Sequence, residues 1–192
     1  MNNWDRSIEV LLEKYSNEAI CREQMHRSAF YNFKKRRTWF QLPLIVISAL
    51  NGGVQLLSKQ YPHAEQTIIT CTASTSLLVA CLTSILSYLK LGELHAQHSK
   101  AQSEWLGLYN TIRAQLVLKP ELRMDGMEFL SQIKGDYEKL FEFSPIVGQK
   151  INSDVRNKAH AANPDFVVPV YINGFTEVET YRREEEFDDN SV

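Results

Sequence analysis

A stripe of polar side chains lies inside two long runs of the sequence that carry no charge. These side chains are Ser48, Asn51, Gln55, Thr72, Ser76 and Thr83. If each run is a helix, the first three share one face and the last three share another. In lipid, such groups hydrogen-bond across a helix interface, where a small residue such as Gly52 permits close approach, or they line a water-filled path. We keep both interpretations: helix packing and a pore lining.

The side chains best suited to metal or acid–base chemistry are Glu93, His95 and His98. The two histidines occupy neighbouring positions on a predicted helix, but a metal site needs three or four ligands and no second cluster supplies them. We therefore predict packing or interfacial roles for both histidines, no metal and no cofactor.

Motifs typical of catalysis are missing from the sequence. It contains no G-x-S-x-G nucleophile, no phosphate-binding glycine loop and no H-E-x-x-H. Its cysteines, Cys21, Cys71 and Cys81, are odd in number and lack metal-type spacing, so we expect no disulfide. We predict that the protein is not an enzyme and has no catalytic residues.

The two uncharged runs, residues 38–58 and 66–89, determine the predicted architecture. Crossing a hydrocarbon core takes about 20 apolar residues as a helix, and both runs are long enough. The short segment between them contains Pro62. Residues 38–89 therefore predict a transmembrane helical hairpin.

A basic cluster, Lys34, Lys35, Arg36 and Arg37, with Trp39 beside it, precedes the first run. Cytoplasmic ends of membrane helices are enriched in Lys and Arg, and aromatic residues gather at the interface. The cluster therefore predicts an orientation with both chain ends in the cytoplasm, or on the interior side of an internal membrane. Anionic headgroups are a simpler partner for it than nucleic acid, and we expect no nucleic acid to bind.

The remaining segments complete an all-α prediction. Residues 1–37 predict an amphipathic N-terminal helix, and residues 90–161 a cytoplasmic helical region with coiled-coil-like spacing that continues the second span. Residues 162–192 predict an extended or disordered acidic tail. The whole chain has a net charge of -2, although residues 177–192 hold seven acidic and two basic side chains. The body of the chain is therefore mildly basic.

Several of these segments resemble the SLATT superfamily of two-transmembrane proteins. The likeness covers about residues 20–148 and depends on the basic and aromatic stretch at 34–39, the small residues at 48–53, the helix at 98–109 and the segment at 137–145. The resemblance implies a membrane effector that forms pores and arrests or kills its host cell after a nucleotide signal. Stand-alone members are similar to proteins of large DNA viruses. The expected lack of a sensor domain leaves the trigger open.

We predict an integral membrane protein that contacts lipid, self-associates and perturbs a membrane as a pore-forming effector. The alternative is a structural scaffold or minor virion protein that links an internal membrane to a protein shell, with capsid proteins as partners. A third interpretation, a soluble helical bundle, would bury the hairpin among the other helices.

Overall fold

The computed structural model describes residues 3–163 and residue 166. Its α-helices are α1 (Arg6–Leu57), α2 (Glu65–Tyr88), α3 (Leu91–Val117), α4 (Gly126–Phe143) and α5 (Gln149–Ala162), with short 3₁₀ turns at Ser58–Gln60 and Pro120–Leu122. No strand occurs in the described residues, so the all-α prediction is confirmed for them. The predicted acidic tail lies outside them, apart from residues 162, 163 and 166.

The longest helix, α1, joins two stretches of opposite character. Its first part is amphipathic and charged, and its second part is apolar, yet the 52 residues form one helix. Nothing between Ile8 and Arg37 is glycine or proline, so no residue in that part breaks it. Pro43 lies within the apolar part and, having no N–H, leaves the Trp39 carbonyl without its usual helical donor. At about 1.5 Å per residue, α1 is about 78 Å long.

One end of the molecule has a closed hydrophobic core. We call this end the helical body; it comprises residues 6–37 of α1 together with α3, α4 and α5. Its buried core side chains are Ile8, Leu12, Ala19, Ala101, Trp105, Leu108, Ile112, Phe129 and Ile133. Along α3 these residues recur at spacings of three and four, which places them on one face of the helix. The body forms because α3 and α4 bury their apolar faces against α1.

The other end consists of residues 38–57 of α1 packed against α2, and we call it the apolar hairpin. Its large side chains are mostly exposed, as at Leu42, Ile45, Leu50, Leu56, Leu77, Leu78 and Ile85. The helical stretches Arg6–Gln60 and Glu65–Val117 each contain a window long and apolar enough to cross a membrane. None of the first window and 6% of the second is buried. The hairpin therefore extends beyond the body without being covered by it.

A local break separates α2 from α3, where the sequence predicts one continuous helix. Lys90 has φ 48° and ψ 32°, the left-handed conformation, which costs a residue with a side chain roughly 1–2 kcal/mol. The prediction of an unbroken helix is wrong at this point. Residue 90 itself is neither glycine nor proline, and the break lies where the chain passes from the hairpin to the body.

The start of α4 is stabilised by an N-cap and by close packing. The Asp125 carboxylate accepts hydrogen bonds from the backbone N–H groups of Met127 (3.1 Å) and Glu128 (3.2 Å). At Gly126, an added Cβ would lie 2.8 Å from the Asn3 carbonyl oxygen. Only glycine fits without movement there, so the N-terminal segment can cross directly over the start of α4.

Candidate functional site

A hydrogen-bonded group joins the two helices of the apolar hairpin. The Asn51 side-chain amide donates to the Thr72 carbonyl oxygen at 2.9 Å and to the Ser76 hydroxyl at 2.7 Å. Thr72 is the one buried residue of α2. The structure thus brings three of the polar residues singled out from the sequence into contact within a single chain.

Most other hydroxyl groups of the hairpin are satisfied by their own helix. The Ser48 hydroxyl donates to the Leu44 carbonyl at 2.7 Å, and the Thr72 hydroxyl donates to the Ile69 carbonyl at 3.0 Å. The same pattern recurs at Thr70, Ser74, Thr75 and Ser84. A hydroxyl that donates to a carbonyl of its own helix needs no water molecule as acceptor. The Ser and Thr content of α2 is therefore compatible with an apolar environment.

The remaining candidates separate into two groups. Ser48 and Thr83 line an open cleft between α1 and α2, next to the body, with a volume of ≈ 650 Å³. We call it the interfacial cleft. Gly52 and Gln55 are exposed, and a Cβ added at Gly52 would have no neighbour within 4 Å. Within one chain, Gly52 therefore does not serve a close approach of α1 to α2.

The basic cluster lies where the body meets the hairpin. Lys34, Lys35, Arg36 and Arg37 are all exposed, and Trp39 is 75% exposed. Helix α1 carries them continuously from the body into the hairpin. If the hairpin entered a bilayer, these basic and aromatic residues would lie at the interface between membrane and water.

A buried polar pair inside the body was not predicted. The Nδ1 atoms of His26 and His98 lie 2.9 Å apart, and Phe33 stacks on His98 with ring centroids at 5.3 Å. Burial, followed by the nearby His98 and Arg22, lowers the pKa of His26 to about 4 from its usual 6.5. Burial also lowers the pKa of His98. Both imidazoles are therefore neutral at pH 7, with one Nδ1 donating to the other.

A second buried polar contact lies near this pair. Glu23 is 3% exposed, and its carboxylate accepts a hydrogen bond from the Gln102 side-chain amide at 3.1 Å. Its other oxygen is buried and has no partner in the described part of the chain. Glu23 and His26 continue the spacing of Leu12 and Ala19 along α1, so two polar residues in an apolar register were the signal for this site. His95, the other predicted packing residue, stacks on Phe30 at 4.2 Å between ring centroids.

Neither buried contact forms an evident reactive centre. Among the described residues, no three His, Cys, Asp or Glu side chains are grouped so that they could hold a metal ion. Cys21 is buried, and burial, assisted by Glu18, raises the pKa of its thiol to about 11. A thiol with that pKa is a poor nucleophile at neutral pH.

No family model, curated protein or solved structure compared with the chain matches it. The SLATT resemblance therefore stays a prediction from the quoted segments. The apolar hairpin, the basic cluster and the interfacial cleft are the features of the structure that bear on function.

Proposed function

We propose that the protein is a two-span integral membrane protein whose apolar hairpin crosses a bilayer. The observation that carries the proposal is the contrast between the two ends of the molecule. The body encloses its apolar side chains, whereas the most apolar windows of the hairpin are almost wholly uncovered. Each Leu, Ile or Val left in water forgoes about 1.5–3 kcal/mol of burial, so many of them together favour lipid strongly.

The hydrogen bonds of the hairpin support this proposal. Polar groups in hydrocarbon need partners inside the protein, because no water is present to accept or donate. Asn51 has two such partners on α2, and the hydroxyls described above bond to carbonyls of their own helix. Residues 38–57 contain no Asp, Glu, Lys or Arg, and the only one in α2 is Glu65 at its first position.

The distribution of basic residues supports an orientation with the body in the cytoplasm. Four consecutive basic residues precede the hairpin and Lys90 follows it, whereas the connecting segment has only Lys59, balanced by Glu65 at the start of α2. The positive-inside bias then assigns both described chain ends to the cytoplasmic side or to the interior side of an internal membrane.

Labelling of single cysteines tests this topology. In a chain with Cys71 and Cys81 replaced by alanine, we expect a membrane-impermeant maleimide to modify His63→Cys in sealed right-side-out vesicles and Lys100→Cys in inside-out vesicles. Cys21 should stay unmodified because it is buried and its pKa is raised to about 11. Release of the protein by alkaline carbonate without detergent would disprove insertion. Labelling of both positions from the same side would disprove the hairpin topology.

We further propose that the protein self-associates through the body and perturbs the membrane, as the SLATT resemblance implies. Phe143, the last residue of α4, is 79% exposed, and Ile146 just after it is 96% exposed. These exposed apolar side chains support a contact between copies of the body. The Asn51 bonds link the two spanning helices, so the relative position of these helices in an oligomer depends on them.

Asn51→Leu is expected to change ion flux across liposomes without abolishing insertion. The substitution removes both interhelical hydrogen bonds, whether Asn51 acts through helix packing or also faces a pore. Ser74→Ala is the matched control, because the Ser74 hydroxyl bonds only to the Thr70 carbonyl of its own helix. Flux from the Asn51 variant equal to that of the parent and the control would count against a pore. A parent protein that inserts but gives no flux would reject the effector role and leave the hairpin intact.

A further inference from the structure

The interfacial cleft is a concave part of the hairpin surface that is positively charged at one end. It lies between α1 and α2, and its volume of ≈ 650 Å³ falls within the roughly 300–1,000 Å³ typical of ligand pockets. Arg37 and Lys90 lie at the end next to the body, and Leu44, Val79 and Leu86 line the remainder. One end therefore suits an anion and the other suits a hydrocarbon chain.

Arg37 is available to bind an anion. Its Nε donates to the Gln41 side-chain oxygen at 2.9 Å, and one terminal nitrogen would lie 3.5 Å from a Cβ added at Gly92. The Arg37 guanidinium therefore lies beside Gly92 at the mouth of the cleft. No carboxylate forms an ion pair with Arg37 among the residues described, whereas a guanidinium has five N–H donors that suit phosphate oxygens.

Lys90 supplies a second positive charge at the same end. Its ammonium lies 3.4 Å from the Glu93 carboxylate, and both side chains are largely exposed, so this ion pair is screened and weak. The left-handed backbone at Lys90 separates α2 from α3 and lies beside the cleft. Glu93 does not line the cleft, and the neighbouring basic cluster keeps the local charge positive.

The part of the cleft away from Arg37 and Lys90 is lined mainly by apolar side chains. The Ser48 hydroxyl donates to the Leu44 carbonyl, Thr83 and Ser87 add two further hydroxyls, and the other side chains of this part are Leu44, Ile45, Val79 and Leu86. These walls continue into the exposed apolar surface of the hairpin. An occupant with a charged head and a long apolar chain matches both halves of the cleft.

We propose that the interfacial cleft binds one anionic phospholipid of the cytoplasmic leaflet. Its phosphate would meet Arg37 and Lys90, and one acyl chain would lie along Leu44, Val79 and Leu86. Basic pockets between spanning helices on the cytoplasmic side suit anionic headgroups in general. The inference deepens the proposed function, because it requires the hairpin to be in a membrane.

Native mass spectrometry of the full chain in detergent, titrated with phosphatidylglycerol and phosphatidylcholine, tests the site. We expect one phosphatidylglycerol per chain to bind more tightly than phosphatidylcholine. Arg37→Gln should weaken phosphatidylglycerol binding by about fivefold, the effect of one basic residue near an anionic lipid. Arg36→Gln makes the same change of charge one residue away, outside the cleft lining, and should alter binding by less than about twofold.

A second pair of variants tests the apolar half while every charge is kept. Val79→Trp fills the cleft and should also weaken phosphatidylglycerol binding, whereas Leu78→Trp, on the exposed neighbouring position, should not. Equal losses in both members of either pair would overturn the site, as would equal affinity for the two lipids. Competition by glycerol 3-phosphate at the same concentration as the lipid would instead indicate a soluble anion site and would also overturn it. Failure of membrane insertion is detected separately by carbonate extraction, so rejection of the lipid site leaves the hairpin proposal standing.

Discussion

Trp105→Ala is expected to lower the free energy of unfolding of the helical body by about 3–5 kcal/mol, the range for removing a buried aromatic side chain. Trp105 is fully buried, and its indole N–H donates to the Ser144 hydroxyl at 2.9 Å. Its ring meets Tyr137 edge-on at 5.5 Å between centroids, and the Arg22 guanidinium lies 5.0 Å from the ring centre. One side chain therefore joins α1, α3 and α4, and its loss leaves a cavity at their junction.

Trp39→Ala is the matched control, since it makes the same substitution at a side chain that is 75% exposed outside the body. Urea unfolding in mild detergent, followed by hydrogen exchange of peptides from α3 and α4, measures the effect on the body alone. We expect the control to change this free energy by less than about 0.5 kcal/mol. Similar losses in the two variants would show that the core at Trp105 does not hold the three helices together.

Lowering the pH from about 6.5 to about 4 is expected to cost the helical body up to about 3 kcal/mol through His26. In the unfolded chain His26 takes up a proton near its usual pKa of 6.5, whereas in the folded body its pKa is about 4. Between these values the unfolded state binds more protons, so stability is complete above about 6.5 and falls as the pH decreases. Protonation of both imidazoles would also set two N–H donors against each other across 2.9 Å.

His26→Gln should reduce this pH dependence, because glutamine can still hydrogen-bond to His98 but does not titrate in this range. Some dependence should persist, since burial also lowers the pKa of His98. His63→Gln is the control: His63 is exposed in the segment between α1 and α2, and its variant should follow the parent. Urea midpoints measured at several pH values between about 4.5 and about 7 give the slopes. Equal slopes for the parent and His26→Gln would contradict the assignment.

The pH dependence has a consequence for the proposed membrane role. His98 lies on α3 close to the junction with the hairpin, and His26 lies on the part of α1 that leads into the first span. Loss of the pair would loosen α3 from α1 just below the interfacial cleft. The lipid titration is therefore best done at neutral pH, where both imidazoles are uncharged.

Local pattern was enough to predict the helices and the apolar hairpin. The apolar spacing from Ile8 onwards and from Ala101 to Ile112 repeats every three or four residues, and this periodicity is a property of neighbouring residues. The lack of charged residues in 38–58 and 66–89 can likewise be read directly from the sequence. Pro145 after Ser144 also fits the observed end of α4 at Phe143.

Pairings between distant residues could be found only in the folded chain. His98 stood out in the sequence, but its partner His26 is 72 residues away on another helix. Asn51 was a candidate because of its type, whereas its contacts with Thr72 and Ser76 depend on how α1 and α2 rotate against each other. Helix register of this kind is decided by the packing of whole faces and not by spacing along one segment.

The sequence by itself determined that the chain is helical, that two of its stretches avoid charge and that a basic cluster precedes the first of them. Tertiary structure decided the break at Lys90, the neutral histidine pair and the cleft between Arg37 and Lys90. The physical reason is the separation along the sequence over which each effect acts. Helix propensity and hydrophobicity act among residues a few positions apart, whereas a buried polar contact or a cleft exists only where two helices meet in one particular orientation.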